Sequence, residues 1–160
     1  MRFTPLFTEA ARPLRHTPGD RWFVDETYVK VAGKWRYLYR AIDQFGQVID
    51  VLVSPKRDKT AARRFFTRAL AGATSPPEVS TDRAPAYQRI VEDVLPGALH
   101  VTVPYANNRV EADHGRLKAR LRPMRGIKTD RSLRIVATGH AFIYEPAARP
   151  LRTRHRRHHP

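Results

Sequence analysis

Residues 22–43, which read WFVDETYVKVAGKWRYLYRAID, decide the fold of this chain. The first ten are rich in β-branched and aromatic residues, and Ala32-Gly33 has the composition of a turn. From Lys34 to Asp43, every second residue from Trp35 is Trp, Tyr, Tyr and Ala, which is the two-residue period of a strand. The pattern predicts a β-hairpin, and residues 47–54 (QVIDVLVS) predict a third antiparallel strand.

Beyond these strands the hydrophobic period changes to 3.6 residues and back. Asp58 has the position of a helix cap, apolar residues recur on one side of the segment after it, and Gly72 is placed to end it. The rest alternates in type: a strand at 77–81, a helix from Pro85 to Leu95, a strand at 100–103, a helix capped by Asn107 or Asn108, and a last helix at about 132–143. This order predicts the α/β class, with a mixed sheet (three antiparallel strands, then alternating helices and strands) flanked by helices.

Composition narrows the possible partners. The chain has 160 residues, of which 41% are hydrophobic, enough for one packed domain. Lys and Arg number 30 against 15 for Asp and Glu, and the formal charge of +15 favours a polyanionic partner, with nucleic acid as the leading candidate. A membrane-surface or ribosomal protein would share this charge, but no apolar run approaches the ~20 residues that span a bilayer. We therefore expect no membrane partner and a soluble, cytoplasmic protein.

Several kinds of active site are excluded by the residues that are missing. The chain has no cysteine, which excludes a disulfide framework, a thiol nucleophile and a thiolate zinc site. It also contains no glycine-rich phosphate loop and no serine nucleophile elbow. A catalytic site in this chain must therefore be sought among its other polar residues, and above all among its acids.

Both ends of the chain differ in composition from the middle. Residues 1–20 hold three prolines with little periodicity and lack the charged-then-apolar pattern of a secretion signal. Residues 145–160 (EPAARPLRTRHRRHHP) are basic and offer almost no apolar surface, so we expect them to be disordered. The predicted organisation is an N-terminal arm at 1–20, one domain at 21–144 and a basic tail at 145–160.

Asp25 is the first of three acids that stand out by their setting. Alternation along its strand places it on the same face as hydrophobic residues, where an unpaired carboxylate costs several kcal/mol. Such a group is expected to be paired, protonated or bound to a cation, so an arginine from the neighbouring strand would satisfy it as well as a metal would. Glu26 faces the other way and is interpreted as an ordinary surface acid.

Asp82 and Glu111 are the other two acids. Asp82 follows the predicted strand PEVST and precedes a helix, a junction where α/β sheets commonly place functional groups, although an aspartate there is also an ordinary helix cap. Glu111 ends the segment NRVE, which has the spacing of a capping box. Magnesium-dependent phosphoryl transfer needs carboxylates that converge from separate elements, so together the three acids suit a metal cluster.

The predicted helix that carries Glu111 also presents a base. At about 100° per residue, Glu111, His114, Gly115 and Lys118 share one side of the helix. The glycine would let a phosphate approach closely, and Lys118 would contact that phosphate next to a metal held by Glu111. Asp113 lies about 200° around the helix from Glu111 and is expected to be solvated. His114 has two interpretations: it touches DNA, or it only fills the helix surface.

Three motifs carry a family resemblance. They are WFVDETYVKVAGKWRYLYRAID at 22–43, STDRAPAY at 80–87 and YANNRVEADHGRLKARLRPMRG at 105–126. In these motifs the chain resembles the IS6-type (IS26-like) insertion-sequence transposases, members of the DDE transposase and retroviral integrase superfamily. The resemblance implies an RNase H-like, integrase-type core and carries the three family acids, as catalytic residues and metal ligands, onto Asp25 in VDETY, Asp82 in TDRAPAY and Glu111 in NNRVEADH.

The resemblance also implies an activity and partners. The activity would be hydrolytic nicking of DNA followed by strand transfer, with Mg²⁺ or Mn²⁺, two ions in all, and no small-molecule cofactor. The partners would be transposon ends and target DNA, met by a homodimer associated with the bacterial nucleoid. The predicted DNA contacts are Lys118, at the family's basic position after the glutamate, with His114, Arg116, Arg120 and Arg122.

Three functions remain open on the sequence alone. The first is a transposase catalytic domain. The second is a truncated, inactive remnant that binds DNA without sequence preference, because residues 1–20 are too short for a helix-turn-helix and the tail departs from the family's helical ending. The third is a host nuclease or integrase on the same fold, which the long motif match disfavours.

Overall fold

A computed structural model describes residues 17–103, 105, 107–124 and 126–143. Its first three strands are β1 (Arg21–Val31), β2 (Lys34–Asp43) and β3 (Val48–Ser54), which pair antiparallel in sequence order as predicted. Most of the predicted N-terminal arm and all of the predicted tail lie outside the described residues.

Two tight turns connect these three strands. Ala32 and Gly33 both have positive φ, at 45° and 80°, which is the conformation of the two-residue turn that matches strand twist. At the other turn, the Asp43 carboxylate accepts hydrogen bonds from the backbone N–H of Phe45 at 2.9 Å and of Gln47 at 2.8 Å. Asp43 therefore serves the turn and is not available for chemistry.

Two short parallel strands complete a five-stranded mixed sheet. They are β4 (Glu78–Ser80) and β5 (Leu99–Val101), and the strand order is β3-β2-β1-β4-β5. Because β4 pairs only with the start of β1, most of β1 beyond that pairing has one edge without a strand partner. The helix Asn108–Leu121 packs against β1.

In the part of the chain that the structure describes, four helices cover the sheet: α1 (Lys59–Ala71), α2 (Pro85–Val94), α3 (Asn108–Leu121), which a 3₁₀ turn follows at Arg122–Met124, and α4 (Asp130–Ile143). Asp58 caps α1 as predicted, since its Oδ1 accepts from the N–H of Ala61 at 2.8 Å. The last helix begins at Asp130, two residues earlier than predicted, and Thr129 Oγ1 accepts a hydrogen bond from the N–H of Ser132 at 3.0 Å in its first turn. The predicted α/β class is confirmed.

Each face of the sheet has its own hydrophobic core. One core lies under α1 and α2 and includes Trp22, Val24, Phe65 and Phe66, and the other lies under α3 and α4 and includes Leu38 and Leu117. Successive residues of β1 point to opposite faces, so Asp25 and Glu26 face different helix layers. Within the described ranges, no helix has the length and apolar character needed to cross a membrane.

Candidate active site

Asp25 and Asp82 meet because their strands pair side by side. β4 runs parallel to the start of β1, and the last residues in register are Phe23 and Ser80. Continuing this register by two residues places Asp25 opposite Asp82. Asp25, Glu26 and Asp82 each have one carboxylate oxygen that lies within 4.8 Å of the corresponding oxygens of the other two. The sequence prediction that Asp25 and Asp82 converge agrees with this placement.

The Asp25 carboxylate is mostly buried, and no lysine or arginine among the described residues forms an ion pair with it. Its side chain is 16% exposed, and the ring Nδ1 of His114 lies 3.5 Å from its Oδ2. Burial, and then the charges of Glu26, Asp82 and Glu111, raise the pKa of Asp25 to about 7. Burial also lowers the pKa of His114 to about 4, so this ring is neutral at pH 7. The His114 ring therefore supplies no positive charge to balance the Asp25 carboxylate.

Replacing Asp25 with asparagine is expected to stabilise the metal-free protein at alkaline pH. The folded pKa of about 7 lies above the unfolded value of 3.8, so between these values the folded state holds a proton that the unfolded state has lost. The stability from this group is complete below the unfolded pKa and falls by about 1.4 kcal/mol for each pH unit up to the folded pKa. The asparagine variant has no such loss.

Thermal denaturation in a chelating buffer, at about pH 5 and about pH 8.5, measures this difference. Asp25→Asn should gain on the wild type at the higher pH, and Asp20→Asn, which changes an exposed acid just before the start of β1, should not. An equal advantage at both pH values would mean that the Asp25 carboxyl titrates in the ordinary acidic range.

Arg40 lies directly opposite Asp25 in the β1–β2 register, yet it does not pair with it. Its Nη2 contacts Oδ2 of Asp113 at 2.7 Å, and Nε2 of His140 lies 3.3 Å from Oδ1 of the same carboxylate. Burial alone would raise the pKa of Asp113, but His140 and Arg40 hold it below its ordinary value. The expectation that Asp113 is solvated is wrong, because it is 7% exposed and pairs with the neighbouring-strand arginine that was one of the two open partners for Asp25.

Neither Asp82 nor Glu111 caps a helix, although the sequence left that role open for both. The N-cap of α2 is Ala84, and Asp82 Oδ1 accepts a hydrogen bond from its N–H at 3.0 Å in a turn before the helix. The N-cap of α3 is Asn107, which makes no side-chain capping bond, so the capping box is absent. Glu111 is exposed in the first turn of α3, outside the group of acids that lie within 4.8 Å.

The start of α3 is fastened to β1 by one side chain. Asn107 is buried, and its Nδ2 donates a hydrogen bond to the carbonyl oxygen of Val24 at 3.0 Å. Val24 immediately precedes Asp25, so this bond holds the first turn of α3 beside the two converging acids. The charge of Glu111 reaches Asp25, whose pKa it raises, while no contact with a described residue fixes the Glu111 rotamer.

Glu26 is the residue whose role the sequence interpretation missed. Its side chain is 5% exposed, forms an ion pair with Arg57 through Oε1 and accepts a hydrogen bond from the Tyr87 hydroxyl through Oε2. Burial and the Glu26 charge raise the pKa of Tyr87 well above its ordinary value, so the hydroxyl keeps its proton. Arg57 also lies 3.4 Å from Asp82 Oδ2. The buried Glu26 carboxylate therefore holds Arg57 and Tyr87 beside the site, one with each oxygen.

The five predicted DNA-binding residues do not form one surface. His114 is buried against Asp25, so neither DNA contact nor surface filling describes it. Lys118 lies over the ring of Tyr28, whereas Arg116 lines a surface pocket of about 420 Å³ beside the β2–β3 turn. Since each helical residue advances by about 100°, Arg120 lies on the same side of α3 as Arg116. Arg122 is exposed in the 3₁₀ turn. Lys118 lies on the side of α3 that carries Glu111.

Comparison with known proteins gives this geometry a family. A family model described as a DDE domain matches residues 19–146. The transposase for insertion sequence-like element IS431mec of Staphylococcus aureus is 37% identical over 114 residues, covering 68% of this chain and 51% of that protein. The transposase for insertion sequence element IS257 in transposon Tn4003 of Staphylococcus aureus matches to the same extent. The chain thus spans about half the length of these curated relatives.

Solved structures with the same fold are retroviral. A chain of the simian T-cell lymphotropic virus intasome superposes with a TM-score of 0.62 at 24% identity, covering 76% of this chain and 48% of that chain. The catalytic core domain of HTLV-2 integrase superposes with a TM-score of 0.54 at 24% identity, covering 68% and 72%. These likenesses establish the RNase H-like fold, and the family match establishes more: the chain belongs to the DDE transposases, in their IS6-type branch.

Proposed function

We propose that this chain is the catalytic part of a transposase that cleaves DNA and joins its strands with the help of divalent metal ions. Its metal ligands would be Asp25, Asp82 and Glu111. The observation that carries the proposal is the convergence of Asp25 and Asp82 from two hydrogen-bonded strands, with no lysine or arginine among the described residues in an ion pair with Asp25. Membership of the DDE transposases supports the same reaction.

The residues at the site suit a hard divalent cation. Carboxylate oxygens are the ligands that Mg²⁺ prefers, and burial, followed by the charges of the neighbouring acids, raises the pKa of Asp25. The HTLV-2 integrase core, which has this fold, was solved in complex with magnesium. We propose two ions of Mg²⁺ or Mn²⁺ and no small-molecule cofactor. When bound, such ions activate the attacking oxygen and stabilise the leaving oxygen at phosphorus.

The protein's own residues prepare this chemistry by position and charge. Asp113 holds Arg40 away from Asp25, which keeps that carboxylate available to a cation. Asn107 fixes the start of α3, so that the exposed Glu111 can complete the ligand set. Lys118, on the same side of the helix, would bind a DNA phosphate next to the acids.

The proposed partners are transposon ends and target DNA, bound by a homodimer. The charge of +15 suits a polyanion. The HTLV-2 integrase core has been solved in dimeric and trimeric forms, which supports self-association of this fold. Light scattering on the full chain without DNA should therefore give a mass twice that of the 18.4 kDa monomer, and with DNA the mass of that dimer plus the bound DNA.

Cleavage and joining can be tested together. The purified chain is incubated with supercoiled plasmid and with a labelled oligonucleotide that carries a free 3′-hydroxyl, in Mg²⁺, in Mn²⁺ or in a chelator. We expect nicked plasmid and covalently joined label only with a metal. Salt-sensitive DNA binding without either product would contradict the proposed enzyme and leave a DNA-binding module.

A further inference from the structure

Two large aromatic side chains lie exposed on the first hairpin. Tyr28 is 56% exposed and Trp35 is 54% exposed, although tryptophan is the largest apolar residue the chain has. Their ring centroids are 5.2 Å apart and their planes meet at 85°, so the edge of one ring packs on the face of the other. The pair thus leaves aromatic ring surface open to solvent.

Two lysines flank the pair. The Nζ of Lys118 on α3 lies 4.6 Å from the Tyr28 ring centroid, and the Nζ of Lys30 lies 5.6 Å from the Trp35 ring centroid. We name Tyr28, Lys30, Trp35 and Lys118 the aromatic ledge. It combines open ring faces with positive charge, which is the combination that single-stranded nucleic acid binds through base stacking and phosphate contacts.

Hairpin stability accounts for only part of this arrangement. Lys30 and Trp35 are directly opposite in the β1–β2 register, so their contact is an ordinary cross-strand pair. Such pairs need only one face of each ring, however, and they do not explain why Lys118 reaches across from another element to cover Tyr28. A ligand that uses ring faces and cations together explains both features.

The aromatic ledge is continuous with the candidate active site. Tyr28 lies three residues, or about 10 Å, beyond Asp25 on β1 and points to the sheet face of Glu26, whose carboxylate lies within 4.8 Å of that of Asp25. Lys118 lies on the side of α3 that carries Glu111, two turns further along the helix. A DNA strand whose phosphate reaches Asp25 would therefore pass the ledge within a few nucleotides.

We propose that the aromatic ledge binds single-stranded DNA by stacking unpaired bases on Tyr28 and Trp35, beside the phosphate that is cleaved. Bases inside a duplex have both faces covered by their neighbours, so a protein ring can stack only on a base that has left the helix. The ledge would hold such bases while Lys30 and Lys118 contact the flanking phosphates. The inference rests on the proposed function only in that DNA is the substrate.

The chain offers a direct optical test of this stacking. It has two tryptophans, and Trp22 is fully buried, so Trp35 is the one that a ligand can reach. Full-length protein is titrated with oligo(dT) and with a duplex of equal length, in a chelator so that no cleavage occurs. We expect oligo(dT) to quench the tryptophan emission strongly and the duplex to quench it much less. Trp35→Phe should remove the quenching.

Affinity measurements with a labelled strand give the second readout. Trp35→Ala and Tyr28→Ala should each weaken single-strand binding by roughly 5- to 100-fold, with a much smaller effect on the duplex. Phe45→Ala, which changes an exposed aromatic residue at the other hairpin, is the matched control and should bind as the wild type does. Circular dichroism checks that each variant is folded, and the wild-type titration stands even where a variant is not.

Three results would overturn the inference. Quenching that persists in Trp35→Phe would not come from the aromatic ledge, and equal affinity loss for single strand and duplex would not be stacking. Emission that changes with protein concentration in the absence of DNA would make the ledge a contact between two copies. Because the titration excludes metal, it is independent of the cleavage assay. Stacking by a chain that does not cleave DNA would contradict only the proposed function. Cleavage by a chain that shows no stacking would contradict only this inference.

Discussion

Asp25→Asn should abolish metal-dependent cleavage and strand transfer, lowering the rate on the order of a thousandfold or more, which is about 4 kcal/mol of transition-state stabilisation. Asparagine keeps the size of the side chain but removes the anion that a divalent cation requires. Asp82→Asn should do the same. The rate of nicking of supercoiled plasmid, measured in Mg²⁺ and in Mn²⁺, gives the comparison. Asp50→Asn is the matched control, since Asp50 lies on β3 and forms an ion pair with Arg68 of α1.

The same assay decides which glutamate supplies the third ligand. Glu111→Gln should match the loss seen in Asp25→Asn, whereas Glu26→Gln should lose less, because the Glu26 oxygens already bind Arg57 and Tyr87. The opposite ranking would assign the third ligand to Glu26, whose carboxylate lies nearer to the other two in this structure. Full activity in all of these variants would mean that these acids do not hold a catalytic metal ion.

Asp113→Ala should cost about 3–5 kcal/mol of folding stability. Arg40 is fully buried, and without Asp113 its charge loses the carboxylate that it contacts in the core. Urea denaturation followed by fluorescence measures the loss. The double variant Arg40→Met with Asp113→Leu removes both charges and should recover much of it, because apolar replacement of a buried pair is often neutral or stabilising.

A second effect of Asp113→Ala concerns the acids. Arg40 lies opposite Asp25, so once released it is expected to turn toward that carboxylate and compete with the metal. Calorimetric titration of Mn²⁺ into the folded variant should show weaker binding than in the wild type, and the double variant should bind normally. Unchanged metal affinity in the single variant would mean that Asp113 serves stability alone.

The sequence predicted the strands and helices well because their signals are local. The two-residue period of β1 and β2, the cap at Asp58 and the apolar side of α1 each need only neighbouring residues to be recognised. Asp25 and Asp82 were recognised by their setting at strand positions and by the family motifs. The α/β class followed from the order of these elements.

The contacts that organise the site were out of reach because they join distant parts of the chain. Arg40 and Asp113 come from a strand and a helix with three further strands and two helices between them in sequence, and no local pattern marks them as partners. Glu26 was taken for a surface acid because nothing near it in the sequence indicates Arg57 or Tyr87. The helices that follow Asp82 and Asn107 begin where the sequence predicts, but neither acid takes the capping role that was left open for it, since Ala84 is the N-cap of α2 and Asn107 makes no side-chain capping bond.

The parallel pairing of β1 with β4 sets the distance between Asp25 and Asp82. Their separation is set by backbone hydrogen bonds, so the chain between them, residues 26–81, can gain or lose loop residues without moving either carboxylate. A slip of β4 by one residue would instead turn Asp82 to the opposite face of the sheet. Chain length is thus a poor guide to this site, and strand register is the quantity to preserve when the protein is shortened, fused or redesigned.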